Sequence, residues 1–193
     1  SYIGGKIRIS AINNEKSLLV FRDQIVSRIN KYVYGFDDDS IEEIVINELI
    51  NQNKKLAVAE SCTGGYLSKT ITDVPGSSKC FIGSIISYSN QIKKQYLSIS
   101  EKVLKEQGAV SSDVALAMSK EIRLKFNADI GISTTGISGP SGGSDDKPIG
   151  RIYIAISVKD NAIVKEFNLM PVRKYHREIA VHVALNMLRL LLK

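Results

Sequence analysis

The run Glu60-Ser61-Cys62-Thr63-Gly64-Gly65 follows an apolar stretch and opens into a helical pattern. Small hydroxyl residues and glycines at such a junction let backbone N–H groups approach a ligand, and a helix N-terminus there favours an anion. A second turn of this kind, TTGISGPSGG at residues 134–143, follows another strand-like segment. Two such turns in one small α/β domain suggest a site for a phosphorylated small molecule. A third hydroxyl-bearing turn, Gly76-Ser77-Ser78, precedes an apolar strand that ends at Tyr88-Ser89-Asn90, with Lys93 one helical turn later. A lysine whose pKa is lowered by burial or a neighbour can serve as base for a serine nucleophile. Tyr88 would relay or orient that proton, and backbone amides of a tight turn can form an oxyanion hole. By spacing alone the same residues also read as a turn former and a solvated helix face.

Other chemistries have less support. The two histidines, His176 and His182, are six apart in the last helical pattern and do not share a face as zinc ligands. With two cysteines and no nearby histidine, a transition-metal site is not expected. No GxxxxGK[ST] occurs, and the glycine-rich turn precedes a strand rather than the helix that a dinucleotide fingerprint requires. A Ser-His-Asp triad would need a histidine brought from the last helix. Cys62 reads either as a thiolate at a helix N-terminus or as a small side chain packing beneath the loop, and packing is favoured.

Composition sets the outer bounds. A hydrophobic share of 44% supplies a real core, built from aliphatics because Trp is absent and aromatics are 7%. The two cysteines make no disulfide framework and fit a reducing cytoplasm. No apolar run reaches the roughly 18 residues that span a membrane. The net charge of +6 is spread along helix faces among acids, so nucleic-acid binding is not expected as the main role. The chain begins with Ser1 and reads as a piece of a larger protein.

Positioning elements follow from periodicity. Residues 6–11 alternate as a strand, and residues 15–34 carry Leu18, Phe21, Ile25 and Ile29 as an amphipathic helix. This pair cannot enclose a core and looks like the tail of a preceding domain, with a boundary at residues 35–40. Asp39 or Ser40 caps a helix over 41–52 whose first turn holds Glu42 and Glu43. Strands are expected at 56–58, 81–89 and 129–134, and a hairpin at 151–158 and 163–168. Helices are expected at 65–72, 90–96, from Ser111-Ser112-Asp113 to about 126, and at 175–192. Strands alternating with helices, then a hairpin, imply an α/β fold: a mixed β-sheet covered by helices on both faces.

Five motifs in order, AESCTGG (59–65), TDVPGSS (72–78), YSNQIK (88–93), GAVSSDVA (108–115) and TGISGPSGGSDDKPIG (135–150), resemble the C-terminal domain of the CinA family, competence/damage-inducible proteins related to nicotinamide mononucleotide deamidase. The resemblance covers about residues 40–193. Residues 1–38 resemble the end of the KH-like middle domain and linker of long CinA proteins, leaving 39–193 as the deamidase-like domain. The likeness implies hydrolysis of the nicotinamide mononucleotide carboxamide to nicotinate mononucleotide and ammonia, without metal or other cofactor. It implies Ser78 as nucleophile, Lys93 as base and Tyr88 assisting. It places Ser61, Thr63, Gly64, Gly65, Thr135, Gly136 and Arg173 at the substrate, Arg173 as phosphate partner through its planar fork. Where the family often has Gly-Asp-Arg, this chain reads Pro171-Val172-Arg173. A phosphorylated pyridine nucleotide is the expected partner, with a homodimer and, in the parent protein, an N-terminal molybdopterin-binding-like domain. The alternative is a non-catalytic nucleotide-binding or regulatory domain of a CinA protein linked to competence. The hydrolase reading requires the amine of Lys93 to lie within reach of Ser78 in one pocket.

Overall fold

The computed structural model describes residues 4–10, 12 and 15–193. Helix α1 (Glu15–Ile29) buries none of its residues. Residues 4–10 form no strand, and Ala11 lies outside the described residues. This corrects the strand expected at 6–11. Alternation alone is insufficient, because a strand needs a neighbour to take its backbone bonds, and Ile7 is left 63% exposed. The expected helix over 15–34 also ends early, at Ile29. Beyond it the buried Arg189 donates to the carbonyls of Lys31 and Val33, which ties this segment to the last helix.

The remaining elements are α2 (Ile41–Asn51), β1 (Leu56–Glu60), α3 (Tyr66–Thr72), β2 (Phe81–Ile86), α4 (Asn90–Leu97), α5 (Glu101–Gln107), α6 (Ser112–Lys125), β3 (Ile130–Gly136), β4 (Arg151–Ser157), β5 (Ala162–Asn168) and α7 (Arg173–Leu192). Ser40 caps α2 through a full capping box with Glu43. Ser89, Ser100 and Ser111 cap α4, α5 and α6 in the same side-chain-to-backbone way. Helix α5 is not among the elements expected from periodicity, although Ser100 marks its start.

The five strands form one mixed sheet in the order β2-β1-β3-β4-β5. β2, β1 and β3 run parallel, whereas β4 and β5 run antiparallel to their neighbours. β1 shows why both faces are covered. Leu56 and Val58 enter the cluster formed with α2, α3 and α7, and Ala57 and Ala59 enter the cluster beneath α6. That is the period-2 alternation of a strand buried on both sides. At Gly131 the carbonyl of Ser119 on α6 lies only 2.1 Å from where a Cβ would stand, so no side chain fits there.

Strand order decides where a ligand can enter. From β1 the chain leaves to β2 on one side, while β3 lies on the other. Connections that diverge in this way open a crevice at the carboxyl ends of the strands. The loops after β1, β2 and β3 meet there.

Candidate active site

The loop after β1 is held from four sides. The Ser61 backbone N–H donates to the Thr134 carbonyl at 2.9 Å, and the Thr63 and Thr134 hydroxyls pair at 2.7 Å. Arg177 of α7 donates twice to the Thr63 carbonyl, at 3.1 and 2.7 Å. The fully buried Glu60 carboxylate accepts from the backbone N–H groups of Gly65, Leu67 and Ser68 and from the Ser68 hydroxyl. The chain turns through this loop on Gly64 and Gly65, both in the left-handed region at φ +58° and +92°. Glu60 corrects one expectation. The N-terminus of α3 does attract an anion, but the chain supplies its own, so no ligand phosphate is needed there.

Lys93 lies one turn into α4 and is 1% exposed. Its Nζ donates to Ser61 Oγ at 2.9 Å, to the Ser87 carbonyl at 2.6 Å and to the Tyr88 carbonyl at 3.3 Å. Desolvation of the ammonium pulls its pKa down from 10.5 to about 8. At pH 7 about one molecule in ten therefore carries the free amine. Cys62 beside it moves the other way: burial pushes its thiol up to about 12, so it stays protonated and packs.

Ser61, Lys93, Tyr88, Thr135, Gly136 and Arg173 line one cavity of about 190 Å³, together with Cys62, Ser138, Ala109 and Val110. Thr135 Oγ1 donates to the Ala109 carbonyl at 2.7 Å, joining the carboxyl end of β3 to the segment between α5 and α6. Arg173 crosses the rim, donating to the Gly139 carbonyl and to the Tyr88 hydroxyl, both at 3.1 Å. The buried Ser138 pairs with His176 Nδ1 of α7 at 2.9 Å.

Several expected placements change. Ser78 is exposed on the single 3-10 turn at Ser77–Lys79, at the amino end of β2, and does not line the cavity. Lys93 follows the carboxyl end of the same strand. Six residues at roughly 3.3 Å each put about 20 Å of strand between the two ends. Within this chain the base therefore faces Ser61, which corrects the expected Ser78–Lys93 pairing. Tyr88 lines the cavity, but its hydroxyl binds Arg173 and only its carbonyl meets Lys93. The contact to Lys93 is thus made by the backbone of Tyr88, not by its phenol. Thr63 is buried in its bond to Thr134, and Gly64 and Gly65 shape the turn without lining the cavity.

Sequence reading missed Glu60, Arg177 and the Ser138–His176 pair. A carboxylate at the end of an all-apolar strand was a visible signal for Glu60. The other two depend on α7 docking beside β3, which periodicity does not encode.

A family model described as the CinA C-terminal domain matches residues 38–192. A CinA-like protein of Cytophaga hutchinsonii is 42% identical over 171 residues, covering 89% of this chain and 41% of the relative. A CinA-like protein of Prochlorococcus marinus is 40% identical over 195 residues, covering 97% of this chain and 46% of the relative. The chain thus spans less than half the length of these curated relatives. Among solved structures, the competence/damage inducible protein CihA from Agrobacterium tumefaciens superposes with a TM-score of 0.74 at 29% identity, over 82% of this chain and 99% of that one.

Proposed function

The chain belongs to the CinA C-terminal domain family, and from that premise we propose that it is an amidohydrolase converting nicotinamide mononucleotide to nicotinate mononucleotide and ammonia, with Ser61 as nucleophile and Lys93 as its base. One observation carries the reading: a buried amine with a pKa near 8 lies 2.9 Å from a serine hydroxyl in the crevice where three loops meet.

A carboxamide resists attack, so the nucleophile must be activated and the oxyanion stabilised. Neutral Lys93 takes the Ser61 proton as Oγ bonds to the carboxamide carbon. The oxyanion forms beside the start of the turn that follows Ser61, where the Cys62 and Thr63 backbone N–H groups are the candidate donors, those of Gly64, Gly65 and Tyr66 being taken by the Ser61 carbonyl, Glu60 and the Thr63 carbonyl. Lys93 then returns the proton to the departing nitrogen, and ammonia leaves an acyl group on Ser61. Water, deprotonated by the same amine, cleaves that ester and restores both side chains. Ser87 and Tyr88 contribute their carbonyls, which keep the amine aimed at Ser61 through the cycle. Arg173 at the rim is the cation best placed for the nucleotide's phosphate, because two bonds hold its fork across the opening.

Ammonia release from nicotinamide mononucleotide tests the reading. Wild-type protein is expected to release it, and Ser61→Ala to lose at least ~10³-fold in turnover. Release by wild type that persists undiminished in Ser61→Ala would remove Ser61 from the chemistry.

A further inference from the structure

The pair formed by Ser138 and His176 has no part in the proton transfers above, yet Ser138 lines the same cavity as Ser61 and Lys93. His176 is fully buried and Ser138 is 4% exposed. Ser138 Oγ and His176 Nδ1 are 2.9 Å apart. Among the described residues the other ring nitrogen, Nε2, reaches no partner at hydrogen-bonding geometry. The Gly150 backbone nevertheless acts on the ring in the direction that favours a proton. Protonated on Nε2, the neutral ring presents Nδ1 to the Ser138 hydroxyl as an acceptor. Burial holds the ring's pKa below its ordinary value, with Arg173 pushing the same way, which keeps it neutral at physiological pH.

Nδ1 is then an acceptor, and the Ser138 hydroxyl spends its one proton on it. Toward the cavity the Ser138 oxygen is left with lone pairs alone. We propose that this pair reads the amide: Ser138 Oγ accepts an N–H from the substrate's carboxamide nitrogen, and His176 is the positioning residue that fixes the hydroxyl in that sense. A primary carboxamide carries two N–H donors, whereas the carboxylate that replaces it carries acceptors only. The same oxygen therefore favours substrate and opposes product, which assists release after hydrolysis. This rests on the amidohydrolase reading above and adds the basis for its discrimination between amide and acid.

The test uses Ser61→Ala protein, which binds without turnover, and calorimetric affinities for nicotinamide mononucleotide and nicotinate mononucleotide. The readout is the ratio of the two affinities. Adding Ser138→Ala or His176→Leu is expected to lower the amide preference about tenfold, the size of one well-placed hydrogen bond plus one removed repulsion. Adding His176→Asn, whose side-chain carbonyl can take the place of Nδ1 as acceptor, is expected to restore most of it. A merely structural role would weaken both ligands together and leave the ratio unmoved. An unchanged ratio with both nucleotides bound would overturn the amide reader and spare the hydrolase. Failure of both nucleotides to bind the Ser61→Ala parent would overturn the substrate reading itself, and the reader with it.

Discussion

The two ends of strand β2 carry the same residue types in opposite circumstances. At its amino end Ser78 is exposed on a 3-10 turn beside Lys79, and exposed Lys55 donates to the Lys79 carbonyl. At the carboxyl end Lys93 is buried, bonded to Ser61 and two carbonyls, with its pKa drawn down to about 8. Serine and lysine in proximity are therefore not enough. Lys55 and Lys79 lie open to solvent at the amino end, whereas exclusion of water at the carboxyl end turns Lys93 into a base. The Glu60 carboxylate, the Arg177 fork and the Thr63–Thr134 bond hold the enclosing loop in place.

The contrast breaks first at the two lysines. Lys93→Met is expected to cost at least ~10³-fold in turnover, while Lys55→Met at the amino end leaves turnover within about twofold. Lys93→Met should move stability far less than turnover. Holding a buried ammonium against a shift from 10.5 to about 8 costs on the order of 3 kcal/mol at neutral pH. Methionine removes that cost but leaves the Ser87 and Tyr88 carbonyls without their donor, at about 1–3 kcal/mol each, so the two offset and Tm should stay within a few degrees of wild type. A Lys93→Met protein that melts well below wild type would contradict the burial argument.

The pH dependence sharpens the comparison next. Catalysis requires the free amine, so kcat/KM should rise about tenfold per pH unit below 8 and level off above it. The stability linkage has the same origin. The depressed pKa means that the unfolded chain holds more protons between about pH 8 and 10.5, so this group's contribution to stability increases with pH across that window. A flat rate profile from pH 6 to 8 would argue for another base.

The smallest expected effect is at Glu60. Glu60→Gln replaces one accepting oxygen with a donor that faces backbone N–H groups, at a cost of about 2 kcal/mol. For a chain of this size that lowers Tm by roughly 4–8 °C, read by calorimetry. No change would mean that the buried carboxylate does not hold α3 and the Ser61 loop together.

The layered fold was legible because strand and helix periods are local. β1, the hairpin of β4 and β5, and the serine-capped helices α2, α4 and α6 follow from spacing and caps alone. The strand expected at residues 6–11 failed because it has no neighbour. At the site, it was the resemblance, not spacing, that grouped the loop after β1, the start of the loop after β3, Lys93 and Arg173, and these line one cavity. Which serine faces the amine was not legible, because it depends on the direction of β2. The strand carries Ser78 away from the crevice that Lys93 joins. The same limit hid Ser138 and His176, 38 residues apart and joined only when α7 packs beside the sheet.

Trypsin separates the two candidate nucleophiles, because cleavage after Lys55, Lys69 and Lys79 yields one peptide over residues 56–69 with Ser61 and another over residues 70–79 with Ser78. Acid-quenching the reaction with nicotinamide mononucleotide and weighing both peptides by mass spectrometry therefore reports which hydroxyl is acylated. The acyl mass is expected on residues 56–69 and absent when Lys93 is changed to Met. An adduct on residues 70–79 would contradict the assignment of Ser61 as the nucleophile.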